Sequence, residues 1–258
     1  MSRNSPDLTL GISTTAKNIS RLKIRPPERR LSVLVSLQGR AEPRLPKHVK
    51  VIRCQGVGVG HSRNAVIENT NTELLAFCDD DVLPNYDQLL EAADQLVSSG
   101  YDFYIGRLFD FDGNPRKRYS WPGTEARFHN IGKVGTPEIL IRVSALKKSG
   151  VRFDPSFGAG TLSPLGDELI FLSDCLKSGL KGQHISAVFG FHSAESSGRG
   201  GDLRKLAHRL RAGRRAYRGN TAYIFPMFFA KTVAGQLFRL SKEFLKPQSP
   251  RRKNHSQK

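Results

Sequence analysis

The stretch that most constrains this chain runs from Glu73 to Pro84, reading Glu-Leu-Leu-Ala-Phe-Cys-Asp-Asp-Asp-Val-Leu-Pro. Its apolar run is short for a helix and ends abruptly in three carboxylates and a proline. It therefore reads as a buried strand of an α/β sheet that surfaces at a cleft. Ligands of open α/β sheets bind at the carboxyl ends of the strands. Because an extended chain repeats every two residues, Asp79 and Asp81 point to one side and Asp80 to the other. Charges this close repel one another unless a cation shares them. Mg2+ or Mn2+ suits the position, since both take one or two carboxylates and fill the rest of an octahedron with water and phosphate oxygens. The functional reading is a metal-clamped diphosphate; the alternative is a solvated acidic turn.

Around this stretch the pattern alternates between strands and crossovers, which argues for parallel pairing with helices on the faces. Strands are expected over Leu8–Thr15, Leu31–Leu37, Val49–Ile52, Asp102–Phe109 and Glu138–Val143. Helices are expected over Asn18–Arg25, stopped by Pro26-Pro27, from the glycine-rich loop to about Asn69, over Tyr86–Ser99, and in a short segment ending at Gly150. The segment Asp112–Lys133 reads as a long, functional or mobile loop. Gly56-Val57-Gly58-Val59-Gly60 opens a helix whose free N–H groups favour phosphate, although it lacks the second half of a dinucleotide fingerprint. Arg63 offers a fixed fork suited to phosphate, to orienting the aspartates, or to a structural salt bridge. Asp167 and Glu168 stand before an amphipathic helix closed by Gly179, where helix polarity alone also favours acids.

Three widely spaced cysteines in 258 residues, Cys54, Cys78 and Cys175, argue against a disulfide scaffold or zinc finger and fit a reducing cytosol. No signal peptide or membrane-length apolar run is evident, so a cytoplasmic protein is expected, peripheral at most on the inner face of the plasma membrane. The net charge of +18 implies polyanionic company. Much of it lies beyond Arg199, where Arg204, Lys205, Arg209, Arg211, Arg214, Arg215 and Arg218 precede the apolar Tyr223–Ala230. That juxtaposition suits an anionic membrane surface; a basic helix covering the core is the plainer alternative. The tail from Lys246 is expected to be disordered.

Three blocks in order, Gly60-His61-Ser62-Arg63-Asn64-Ala65, Leu74 to Val82, and Phe157-Gly158-Ala159-Gly160 with Gly166-Asp167-Glu168, resemble the family-2 glycosyltransferases of GT-A fold. The resemblance spans about Leu8–Gly198. It implies an α/β nucleotide-binding sandwich with a central, mostly parallel mixed sheet flanked by helices, here followed by a basic C-terminal helical extension. Residues 1–100 would form the nucleotide half, 101–198 the acceptor half, 199–245 the extension and 246–258 the tail. The resemblance further implies a nucleotide-sugar donor, a UDP-sugar by preference, and a glycan or lipid-linked acceptor. It assigns Ser13, Thr14, Gln38, Arg63, Asn64, Asp79 and Asp80 to the donor, and Asp79, Asp81 and His192 to Mn2+ or Mg2+. Glu168 becomes the catalytic base with Asp167 supporting or substituting. The order of these two acids is inverted relative to the family's Gly-Glu-Asp element, and Gln38 replaces an acid that contacts uracil in many relatives. The rival readings are a metal-dependent nucleotidyltransferase, an inactive scaffold, and a basic nucleic-acid-binding protein. Against the last, no nucleic-acid module is recognisable and the acidic cleft repels phosphate.

Overall fold

The computed structural model describes residues 7–25, 30–42, 44–193, 203–218 and 226–235. Eight strands form one sheet in the order β3-β2-β1-β4-β7-β6-β8-β5. They are β1 (Leu8–Thr15), β2 (Leu31–Gln38), β3 (Lys50–Cys54), β4 (Leu74–Asp79), β5 (Leu83–Pro84), β6 (Phe103–Phe109), β7 (Ile139–Arg142) and β8 (Gly182–Phe191). Strands β3, β2, β1, β4, β6 and β8 point one way, while β7 and the two-residue β5 run against them. The expected mixed, mostly parallel sheet is therefore present.

Five helices flank it: α1 (Val59–Asn69), α2 (Tyr86–Ser98), α3 (Val143–Ser149), α4 (Asp167–Lys177) and α5 (Leu203–Ala216), with a further helix over residues 226–235. Strand alternation decides which face each residue serves. Leu75 and Phe77 of β4 join α1, α3, α4 and α5 in one core, whereas Leu74, Ala76 and Cys78 join α2 in the other. The same alternation sends Asp79 toward the α1 and α4 face. Phe153 stacks on Phe171 with centroids 4.1 Å apart, and Phe77 meets both edge-on, tying β4 to α4 just below the strand end.

Two expectations are corrected. Asn18–Arg25 is not a helix but a single 3-10 turn at Ile19–Arg21; Asn18 supplies no side-chain cap, and the backbone is already extended at Leu22. Strand β8, absent from the expected elements, extends the sheet beyond β6. The proline pair and the tail from Lys246 lie outside the described residues.

Candidate active site

The carboxyl ends of β1, β2 and β4 lie side by side, with Ser13 opposite Asp79 and Thr15 opposite Gln38. Their centre is Arg63, a buried residue on α1 that donates to Asp79 Oδ1 at 2.8 Å through one arm and to Asp167 Oδ2 through the other. Its guanidinium lies 5.4 Å from the centroid of the Phe153 ring. Burial works against the Arg63 charge, but Asp79 and Asp167 more than offset it, and its pKa stands above the usual arginine value. Asp79 responds differently: burial raises its pKa, and Arg63 reverses only part of the effect.

Asp167 and Glu168 form the first turn of α4. Two left-handed glycines let the preceding loop approach them. A Cβ at Gly158, φ +93°, would meet the Asp167 carboxyl carbon at 2.8 Å, and one at Gly166, φ +91°, would meet the Ala212 Cβ at 2.4 Å. Asp167 is buried and locked by Arg63, whereas Glu168 is half-buried and hydrogen-bonded to Asp167. Burial, then the neighbouring Asp167 charge and hydrogen bond, hold the Glu168 pKa well above the carboxylate range.

The aspartates after β4 part company. Asp80 accepts from Thr14 Oγ1 at 2.7 Å and from Asn18 Nδ2 at 3.5 Å. Asp81 turns instead toward His192 at the end of β8, with Oδ2 and Nε2 3.2 Å apart. The hydrogen bond from His192 holds the Asp81 pKa below its usual value, and the same bond raises that of His192. The expected triad of Asp79, Asp81 and His192 is thus not assembled, because Arg63 claims Asp79. Among the described residues, no three His, Cys, Asp or Glu side chains converge on a metal position.

Residues 33–153 match the family described as Glycosyl transferase family 2. That match covers a little under half of the chain and includes Arg63 and the aspartates after β4. Structures of S. aureus TarS share its fold. Residues 1–349 of TarS align with a TM-score of 0.63 at 14% identity, over 92% of this chain and 73% of that one. The complex of that fragment with UDP-GlcNAc aligns at 0.62 and 13%, over 88% and 71%. The longer TarS structure aligns at 0.61 and 15%, and this chain spans 44% of its length. No curated protein sequence matches significantly.

Several residues of the matched stretch are engaged within the protein itself. Gln38 Nε2 donates to the carbonyls of Gly56 at 3.2 Å and Gly58 at 2.6 Å, so it clamps the glycine-rich loop. Asn64 exchanges two hydrogen bonds with the Phe153 backbone, at 2.8 and 2.9 Å, which occupies its amide in holding the Phe153 segment against α1. Arg116 was not singled out by the sequence. Its N–H bonds the Leu108 carbonyl while the His192 N–H bonds that of Phe109, so both hang from the end of β6. The Arg116 charge acts on Asp81 and His192, and its Nε is buried with no hydrogen-bond partner among the described residues. Its signal was the run Arg116-Lys117-Arg118 inside the long loop.

Proposed function

We propose that this chain transfers a sugar from a UDP-sugar to a hydroxyl of a glycan or lipid-linked acceptor, inverting the anomeric centre. The observation that carries the reading is the Arg63 fork, which brings a strand-end aspartate and a helix-start aspartate into one buried cluster. In this reading Asp79 belongs to the donor side and Asp167 to the acceptor side of one cleft. The fold neighbours solved with UDP and with UDP-GlcNAc support the choice of donor.

In this scheme residues 1–100 hold the nucleotide, with Ser13, Thr14 and Asp80 at the strand ends and Gln38 fixing the loop beside them. Residues 101–198 form the acceptor half. Asp167, pinned by Arg63, holds the Glu168 carboxyl in place, and Glu168 takes the proton of the attacking hydroxyl. A carboxylate whose pKa is lifted by burial and a neighbouring charge is a stronger base than a free one.

In this reading Asp81 and His192, 3.2 Å apart, would be the residues to hold a divalent cation. With Nδ1 held 2.8 Å from the Ser193 carbonyl, His192 would give up the Nε2 proton it shares with Asp81 in exchange for the ion. One imidazole and one carboxylate leave further positions for diphosphate oxygens and water, as Mn2+ or Mg2+ prefers. Bound there, the ion would act as a Lewis acid neutralising charge on the departing nucleoside diphosphate. Arg116 would add a fixed positive charge on the same side.

The setting we propose is surface polysaccharide or glycolipid synthesis at the cytoplasmic face of a membrane, with the basic segment over 199–245 as the peripheral contact. No helix among the described residues is long and apolar enough to cross a bilayer. In the test, thermal shifts with nucleoside diphosphates with and without Mn2+ are paired with a transfer assay. Glu168→Gln should keep UDP binding and lose about 10²- to 10⁴-fold in transfer, whereas Asp81→Ala should lose the Mn2+-dependent part of the shift. Wild-type transfer by both variants would overturn the proposal.

A further inference from the structure

At the far end of α4 from its catalytic turn, a cavity of about 640 Å³ opens between the loop 125–129, residues 176–181 and the helix over 226–235. Eleven residues of helix at a rise of about 1.5 Å each separate it from Asp167, so it is no part of the cleft. How the helix over 226–235 is held explains the opening. Phe228 seats where a Cβ at Gly213 would be 2.2 Å from its ring, and its centroid lies 5.3 Å from that of Tyr217. Tyr217 in turn donates to the Phe128 carbonyl at 3.0 Å. Pinned at Phe228, the helix leaves Met227 and, four residues on, Lys231 on the lining of the cavity.

The floor is apolar, formed by Phe128, Leu176, Leu180 and Met227; Met227 stays 39% exposed. The rim is basic. Its acid, Glu125, is paired with Arg127 at 2.6 Å. His129, Lys181 and Lys231 face solvent, and their side chains have no hydrogen-bond or ion-pair partner among the described residues. An apolar floor beside two exposed lysines, Lys181 and Lys231, matches a ligand with a hydrocarbon body and an anionic head.

We infer that this cavity binds an acidic phospholipid of a membrane surface, its acyl chain against Met227 and Leu180 and its phosphate between Lys181 and Lys231. This goes beyond the peripheral contact of the basic segment, because it names a site and a lipid class and does not depend on the transfer reaction.

The full-length chain tests the inference in co-sedimentation with phosphatidylcholine vesicles, with and without phosphatidylglycerol. Each surface cation near anionic lipid contributes about 1 kcal/mol, roughly fivefold in partitioning. Lys181→Gln with Lys231→Gln should therefore weaken binding to the anionic vesicles about 30-fold. Both lysines are exposed, so the fold is retained. In a Trp121→Phe background, which removes the single native tryptophan, Met227→Trp should be quenched by lipids brominated on their acyl chains. Equal binding to neutral and anionic vesicles, wild-type partitioning of the double variant, or an unquenched tryptophan at 227 would each overturn the inference.

Discussion

Replacing Arg63 with alanine would leave Asp79 and Asp167 in the same cluster with their shared cation gone. Arg63 and Asp167 have side chains only 8% and 6% exposed, and Asp79 is 35% exposed. Water would reach Asp79 in part and Asp167 hardly at all. Breaking a buried ion pair by removing one partner costs about 3–5 kcal/mol, because a charge is left unpaired. For a chain of this size that corresponds to a fall in Tm of roughly 6–20 °C. Arg63→Lys should fall between wild type and alanine, since an ammonium is a point charge and cannot bridge two carboxylates with a planar fork. The control is Asp167→Asn added to Arg63→Ala, which removes the stranded charge and should restore part of the loss. Urea unfolding and differential scanning calorimetry read all three variants. An Arg63→Ala protein that melts within about 2 °C of wild type, or an Asp167→Asn addition that lowers stability further, would refute the reasoning.

Two further predictions concern pH. The transfer rate should rise with pH through the elevated pKa of Glu168, because the base acts only when deprotonated; its acid limb should lie above the ordinary carboxylate range and move down in Asp167→Asn, where the neighbouring charge is gone. A pH–rate profile with its limb unmoved by that substitution would count against Glu168. Burial first, and the Lys117 charge second, depress His184 from 6.5 to about 4, and the ring faces Asn130 Oδ1 at 3.2 Å. Between those values the unfolded chain binds the proton more readily, so His184's contribution is full above pH 6.5 and is lost as pH falls toward about 4. Thermal melts across that window should show His184→Gln with a flatter acid limb than wild type.

The legible part of the molecule is the part with an undisturbed period. Strands β1, β2 and β4 have apolar runs bounded by clear breaks, and their ends could be placed from residues alone. Strand β8 could not. Its pairing with β6 shifts register between Ile105 and Arg107 and again between Arg107 and Leu108, and its buried positions include Gly182 and His184 as well as Phe189. A bulge that resets the alternation midway erases the period-2 signal. Residue types in the cleft were legible, but pairing was not: the forked geometry of Arg63 was foreseeable, whereas its claim on Asp79, which leaves Asp81 to His192, depends on which face of β4 meets α1. The basic C-terminal helix was visible as a charge run. What the run concealed is the strip Ala212, Gly213 and Ala216, small enough for α5 to press on the core while Arg215 pairs with Asp154 and Asp174.

One arginine grips both banks of the cleft, and this sets its gauge. With β4 on one side and the head of α4 on the other fastened to the same planar group, the two walls cannot drift apart to admit a bulkier sugar. Adaptation to a different substrate must then come from exposed turns outside this span, such as those carrying Phe111 and Leu162, exposed by 63% and 92%. Divergence among chains built this way should therefore collect at the lip and leave the span between the walls alone.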